Sequence, residues 1–159
     1  MHWHPHKGGA AHYHESLSLG SSLPVSIVLG GDPALIFSSI APLPENIDEV
    51  LFSAFLKNRK INLVKSKFSE IMVPANAEFI IEGKVPLNKT MLEGPFGDHF
   101  GYYSMESQFP YLEIETITRK NNPIFPATVV GRPPKEDMYL GMAATDIFGP
   151  LISLSLIHI

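Results

Sequence analysis

The 159-residue sequence contains no cysteine. This absence excludes a disulfide scaffold, a thiolate nucleophile, a cysteine-type zinc site and a cysteine-ligated iron–sulfur cluster. The sequence also lacks any apolar run near the roughly 20 residues of a membrane-spanning helix, and its first residues lack the apolar stretch of a secretory signal. We therefore expect a cytoplasmic protein in which any bound metal is held by histidines and carboxylates.

Charged residues are also scarce, at 18% of the chain, and the net charge is only -4. This mild acidic excess argues against nucleic acid as a partner. Hydrophobic residues make up 45% of the chain, which is enough for a packed core and excludes disorder. We expect one domain over residues 1–150, followed by a truncated or spurious apolar tail at residues 151–159.

Glycine (12) and proline (14) are spread along the chain and favour many short elements. Hydrophobic periodicity and turn residues predict strands at residues 24–30, 61–66, 77–85, 111–119 and 124–130. Helical spacing and capping residues predict helices at residues 33–40, 47–56 and 138–148. The predicted fold is a single β-rich α+β domain, a sheet or barrel with two or three helices.

Histidines are concentrated at the amino terminus, namely His2, His4, His6, His12 and His14. In an extended strand the side chains at positions 2, 4 and 6 share a face, so imidazoles can converge there on a metal. The alternative is a solvated terminus that resembles an expression tag. No HExxH motif accompanies the cluster, which argues against a zinc hydrolase.

A second group of polar residues surrounds a glycine-rich bend, with Glu93 and Asp98 on either side of Gly94, Pro95 and Gly97. Glycine and proline exclude a helix and predict a tight loop that can turn both carboxylates toward one cavity. Paired carboxylates allow one acid to be protonated while the other is ionised. We expect His99, Tyr102 and Tyr103 to complete a polar wall. An ordinary turn stabilised by an aspartate remains the alternative.

Five cations lie within residues 57–67, and they are Lys57, Arg59, Lys60, Lys65 and Lys67. They are interleaved with apolar residues and so predict the outer face of a strand and its turn, with a phosphate or nucleic-acid patch as the less favoured alternative. Residues 130–137 predict a proline-stiffened turn that leads into a helix with acidic residues in its first turn.

These segments, taken in order, resemble the UbiD family of prenylated-flavin-dependent decarboxylases, the 3-polyprenyl-4-hydroxybenzoate carboxy-lyase type. The matching segments are residues 1–9, 42–44 with Glu49, 93–98 with 101–103, and 130–134. The resemblance covers about residues 1–150 and corresponds to the central part of such an enzyme. We therefore expect a fragment of a longer chain.

The resemblance implies a split β-barrel of the flavin-reductase type. It also implies reversible, non-oxidative decarboxylation of an aromatic or α,β-unsaturated acid, such as a polyprenyl-hydroxybenzoate of quinone biosynthesis. Loss of CO₂ leaves an electron pair on an sp² carbon, and no side chain here can accept it, so a bound electron sink is needed. In this family that sink is prenylated FMN, held with Mn²⁺, and K⁺ is a further candidate ion.

Site residues follow from the resemblance, position by position. Asp98 corresponds to the proton donor and Glu93 to its partner carboxylate, while Glu49 and His6 correspond to metal ligands. The cofactor-lining strand and turn would hold His2, Trp3, His4, Lys7 and Gly8. The arginine and asparagine that complete the family's site precede this segment, so we expect the isolated chain to be inactive.

The expected partners are a small-molecule aromatic acid as substrate and a flavin prenyltransferase as supplier of the cofactor. The full-length protein is expected to be a homo-oligomer, with peripheral membrane association through a lipophilic substrate. Two other functions fit parts of the sequence. One is a flavin-binding or reductase module on the same barrel without decarboxylase activity, and the other is a histidine-rich metal-binding module without catalysis.

Overall fold

The computed structural model describes residues 3, 8–44, 47–98 and 101–156. Four helices and seven strands lie within this part of the chain. In chain order they are α1 (Gly8–Leu19), β1 (Leu23–Leu29), α2 (Pro33–Ser38), α3 (Glu49–Lys57), β2 (Leu63–Lys65), β3 (Met72–Pro74), β4 (Phe79–Val85), β5 (Thr90–Glu93), β6 (Ser107–Pro110), β7 (Glu113–Arg119) and α4 (Glu136–Leu156).

A three-stranded antiparallel sheet forms the centre of the fold, with β4 between β1 and β7. Side chains alternate between its two faces. One face carries the isoleucine row of Ile27, Ile81 and Ile117. The other carries a polar row in which Glu82 lies opposite Ser26 and Thr116.

Glu82 is the most buried acidic side chain of the described residues, at 1% exposure. Both of its carboxylate oxygens accept from the backbone N–H of Lys67, at 3.1 and 3.2 Å. Because a buried carboxylate needs hydrogen-bond donors, this contact also fixes the turn after β2 against the central strand.

Two smaller antiparallel sheets, β2 with β3 and β5 with β6, complete the strand pairings. The fold is therefore α+β and rich in strands, as predicted. Pairings among the described residues give three separate sheets, so closure into a split barrel remains a prediction.

The short helix α2 begins at Pro33, where the sequence predicts, and α3 begins at Glu49, two residues after its predicted start. The Asp32 side chain caps α2 by accepting from the Ala34 N–H at 3.0 Å, and Pro33 occupies the first helical position. The Asp48 side chain caps α3 by accepting from the Leu51 N–H at 2.9 Å. Lys57 at the end of α3 forms an ion pair with Asp32, so the two helices are tied together.

Three predictions about the elements are wrong in detail. Gly8 was expected in a turn, but it begins α1, a helix that the sequence did not indicate because Gly8, Gly9 and scattered histidines mask the helical pattern. With α1 the described residues hold four helices, not two or three. The predicted strand at residues 124–130 is irregular, since Pro123 and Pro126 cannot donate to a strand ladder.

The last helix, α4, is longer than predicted and continues through Pro150 into the apolar tail as far as Leu156. Its first turn carries Glu136 and Asp137, as expected from residues 130–137. None of the helices that the structure describes has the length and apolar content needed to cross a bilayer.

Candidate functional site

The β5–β6 hairpin carries both predicted acidic residues. Glu93 is the last residue of β5 and pairs with Ser107 of β6. Beyond it, Gly94 has a φ of 101°, and a Cβ there would lie 3.1 Å from the Met105 carbonyl oxygen. Glycine is therefore required for the chain to turn away from β5 while staying this close to the opposite strand.

Hydrogen bonds brace the tip of the hairpin. The Asp98 N–H donates to the Tyr102 carbonyl, and the Gly101 N–H donates to the Asp98 carbonyl, both at 2.9 Å. The Ser104 N–H donates to the Phe96 carbonyl at 2.8 Å, and the Phe96 N–H donates to the Ser104 hydroxyl at 3.2 Å. Glu93 and Asp98 are therefore held on one structured loop, and both side chains are half-buried.

The residues that follow Asp98 on the loop include aromatic side chains that are exposed to solvent. Tyr102 and Tyr103 are 79% and 81% exposed, and Met105 is 89% exposed. The two tyrosines lie on the acidic loop, as the predicted polar wall requires, but they face solvent. His99, the third predicted member of the wall, lies outside the described residues.

The predicted cofactor segment is described only at Trp3 and Gly8. The Trp3 ring is half-buried and lies close to Gly9, where an added Cβ would approach the indole to 2.8 Å. Gly8 begins α1, whose first turn holds no acidic residue. The backbone N–H groups at such a helix start are suited to an anion such as phosphate. His2, His4, His6 and Lys7 lie outside the described residues.

Tyr13 links this segment to the hairpin, although it is not among the predicted site residues. Its hydroxyl accepts from the Asn88 N–H at 3.1 Å and donates to the Pro86 carbonyl at 3.5 Å. Residues 86–89 connect β4 to β5 and so lead to Glu93. No local pattern marks Tyr13, because its partners are more than 70 residues away in the sequence.

Glu49, the predicted metal ligand, is the first residue of α3 and is exposed. Its predicted fellow ligand, His6, lies outside the described residues. Within the described ranges, no three histidine, aspartate or glutamate side chains come together as a metal site. A lone exposed carboxylate does not fit a metal centre, so the metal remains a prediction.

The basic cluster is divided among several elements. Lys57 lies at the end of α3 with Asp32 as its partner, whereas Lys65 lies on β2 and pairs with Glu70 at 2.7 Å. Arg59 and Lys60 line an open depression of about 520 Å³ beside Phe55, after the end of α3. The prediction of a strand face and its turn therefore holds for Lys65 and Lys67, but it is wrong for Lys57, Arg59 and Lys60.

A family model for the UbiD domain, described as a 3-octaprenyl-4-hydroxybenzoate carboxy-lyase Rift-related domain, matches residues 1–133. An uncharacterized protein of Archaeoglobus fulgidus is 41% identical over 97% of this chain and 32% of its own length. Another, of Chlamydia muridarum, is 45% identical over 97% of this chain and 27% of its own length. The chain thus spans about a third of the length of these relatives.

Solved structures of two decarboxylating or UbiD-class enzymes also match the fold of this chain. The UbiD-class enzyme HmfF of Pelotomaculum thermopropionicum, in complex with FMN, matches with a TM-score of 0.78 and 27% identity over 87% of this chain and 31% of its own. The closed form of the vanillic acid decarboxylase of Sedimentibacter hydroxybenzoicus matches with a TM-score of 0.82 and 29% identity, over 86% of this chain and 29% of its own. The segments that carry the sequence resemblance lie within the family match except for Pro134, and the chain belongs to the UbiD family.

Proposed function

We propose that this chain is the central part of a UbiD-type carboxy-lyase that removes CO₂ from an aromatic or α,β-unsaturated acid without oxidation. The observation that carries the proposal is the braced β5–β6 hairpin, which holds Glu93 and Asp98 five positions apart on one loop. A loop fixed by backbone hydrogen bonds can present an acid in a constant position, as proton delivery to a substrate carbon requires.

The chemical class of the substrate is supported by relatives. The vanillic acid decarboxylase above acts on an aromatic acid by name, and the matching family model is described as an octaprenyl-hydroxybenzoate carboxy-lyase. A polyprenyl-hydroxybenzoate or a related acid of quinone biosynthesis is therefore our proposed substrate. Such a lipophilic acid would bring the protein to the membrane surface.

The proposed cofactor is prenylated FMN. An evolved dimeric form of the HmfF enzyme was solved in complex with prFMN. In this chain the residues near the start of α1 fit a flavin nucleotide, because Trp3 offers an aromatic surface and the first turn at Gly8 offers backbone N–H groups without a competing acid. When bound, the flavin would supply the electron sink that the side chains lack.

The two acids have separate roles in the proposal. Asp98 in its protonated form donates a proton to the substrate carbon that has lost CO₂, and is then reprotonated from solvent. Glu93, as the partner carboxylate, holds the acid in the orientation for donation.

No step of this mechanism uses a metal, because the described residues do not fit one. Coordination of Mn²⁺ or K⁺ by Glu49 and His6 stays a separate prediction, as do the homo-oligomer and the supply of cofactor by a flavin prenyltransferase. Among the similar structures, an evolved form of the HmfF enzyme is a dimer, which supports the predicted homo-oligomer.

The test is Asp98→Asn in the longer polypeptide that contains this segment, loaded with prenylated FMN. Because the amide cannot donate a carboxylic proton, we expect kcat for CO₂ release to fall by about 10²–10⁴-fold, with the flavin content unchanged. Asp146→Asn, an exposed aspartate of α4, is the matched control and should leave kcat unchanged. Full CO₂ release by Asp98→Asn would reject the proposed role and favour a flavin-binding module without decarboxylase activity.

A further inference from the structure

Tyr13 holds together two parts of the molecule that are far apart in the sequence. Its hydroxyl group accepts a hydrogen bond from the Asn88 N–H at 3.1 Å and donates one to the Pro86 carbonyl at 3.5 Å. The residue is half-buried on α1, and Pro86 is buried. A single phenol thus joins the first helix to the turn between β4 and β5 as both donor and acceptor.

The Tyr13 ring also packs against Trp3. The two ring centroids are 5.6 Å apart with an interplanar angle of 47°. Gly9 approaches the same indole so closely that an added Cβ would lie 2.8 Å from its ring atoms. Trp3 is therefore bounded by Tyr13 and by the backbone at Gly9, and a shift of Tyr13 would remove one of these two supports.

The turn that Tyr13 contacts runs directly into β5, and Glu93 is the last residue of that strand. The distance along the chain from Asn88 to Glu93 is only five residues. The hydroxyl of Tyr13 therefore connects the segment with Trp3 and Gly8 to the base of the hairpin that carries Glu93 and Asp98.

We propose that Tyr13 is a positioning residue, which places the flavin-binding surface at Trp3 and the start of α1 in a fixed relation to the acidic hairpin. This inference rests on the function proposed above for Trp3, Gly8, Glu93 and Asp98. Tyr13 acts through Trp3 and through the turn at residues 86–89. Its hydroxyl transfers no proton to the substrate in the mechanism.

The test uses the fact that Trp3 is the single tryptophan of the sequence. Tyr13→Phe keeps the ring but removes both hydrogen bonds. We expect the Trp3 emission to move to longer wavelength as the indole becomes more exposed, and the Kd for added FMN, measured by quenching of Trp3, to rise about tenfold. Far-UV circular dichroism should stay that of the unmodified chain.

Tyr111→Phe is the matched control, because it also removes one tyrosine hydroxyl, whose partner is the Glu113 carboxylate at 3.3 Å. That variant should leave the Trp3 emission and the Kd for FMN unchanged. Gly9→Ala is a second variant, which displaces the indole without altering Tyr13 and should reproduce the shift and the weaker binding. If Tyr13→Phe fails to fold, this variant still tests whether FMN affinity depends on the position of Trp3, and an unchanged Kd would overturn the inference.

The inference is overturned if Tyr13→Phe has the emission and the FMN affinity of the unmodified chain. Weaker FMN binding with an unchanged Trp3 emission would overturn it as well, since Tyr13 would then not act through Trp3. If the unmodified chain shows no quenching by FMN, the proposed flavin site is wrong. The difference in emission between the unmodified chain and Tyr13→Phe would then still decide whether Tyr13 positions Trp3.

Discussion

Asp32 takes part in two interactions at once. Its carboxylate caps α2 through the Ala34 N–H and pairs with the Lys57 ammonium at the end of α3. The hydrogen bond from Lys57, and then that from Ala34, hold the pKa of Asp32 below its ordinary value of 3.8. The ionised form is therefore favoured by folding, so this residue stabilises the protein only while it is ionised.

We predict that Asp32→Ala lowers the free energy of unfolding by about 1–2 kcal/mol near neutral pH, because both the cap and the ion pair are lost. The ionised form of Asp32 stabilises the protein fully at pH values above its ordinary pKa. This stabilisation, and with it the loss caused by Asp32→Ala, disappears as the pH falls through the lowered pKa of the folded state. Urea unfolding at neutral pH and below about pH 3 measures this. Asp48→Ala, which removes the cap of α3, is the matched control.

The control separates the two interactions. At neutral pH Asp48→Ala should destabilise the protein less than Asp32→Ala, by the contribution of the Lys57 pair. Equal losses in the two variants would show that Lys57 adds nothing beyond the cap. A loss for Asp32→Ala that persists undiminished in acid would contradict the assigned ionisation.

Strand β4 contains a position, Gly83, at which there is no room for a side chain. Its pairing with β7 is irregular between Glu82 and Gly83, since Glu82 lies opposite Thr116 and Gly83 lies opposite Ile114. Glu115 is therefore an extra residue on β7, as in a β-bulge. A Cβ at Gly83 would lie 2.0 Å from the Glu113 carbonyl oxygen. The two strands can approach this closely only because position 83 has no side chain.

We predict that Gly83→Ala lowers the free energy of unfolding by about 3 kcal/mol or more, because the methyl group forces β4 and β7 apart. Gly141→Ala is the matched control. A Cβ there meets no atom within 4 Å, and the position is inside α4, so alanine should raise the stability by up to about 1 kcal/mol. Urea unfolding of both variants measures the two opposite changes, and a Gly83→Ala protein as stable as the unmodified chain would contradict the close approach.

The molecule as a whole exposes much more surface than a compact monomer of its size. Its accessible surface is 11514 Å², whereas a folded monomer of 17.6 kDa is expected to expose about 7,900 Å². Exposed apolar residues recur every fourth position, at Ile47 just before the cap of α3 and at Leu51 and Phe55 within α3, and form an apolar stripe. Such surface is typical of a region that contacts other parts of a larger protein or another molecule.

We predict that the chain in isolation associates as its concentration rises and binds a hydrophobic dye such as ANS. Phe55→Gln, which replaces a side chain that is 77% exposed, should weaken the association without lowering the stability by more than about 0.5 kcal/mol. Lys89→Gln is the control at an exposed polar position and should change neither property. Sedimentation velocity over a range of concentrations measures this, and a single monomeric species without dye binding would contradict it.

Local signals in the sequence were sufficient to predict several of the helices and strands. The pair Asp32 and Pro33 marks the start of α2, and the alternation of residues 113–119 marks β7, because capping and strand periodicity act within a few residues. The glycines around Glu93 and Asp98 likewise predicted a turning loop, and the structure has one there. The order of these segments was also enough to recognise the UbiD family, which the comparisons confirm.

The tertiary structure decided what depends on distant contacts. Residues 124–130 have the composition of a strand, yet Phe125 packs edge-on against Phe79 and the Ile124 N–H donates to Glu78, so the segment is held as a loop. The burial of Glu82 and the link from Tyr13 to Asn88 follow from the strands and turns that lie beside them in space. A single sequence determines local conformation and chemistry, but which distant groups meet is determined only when the whole chain packs.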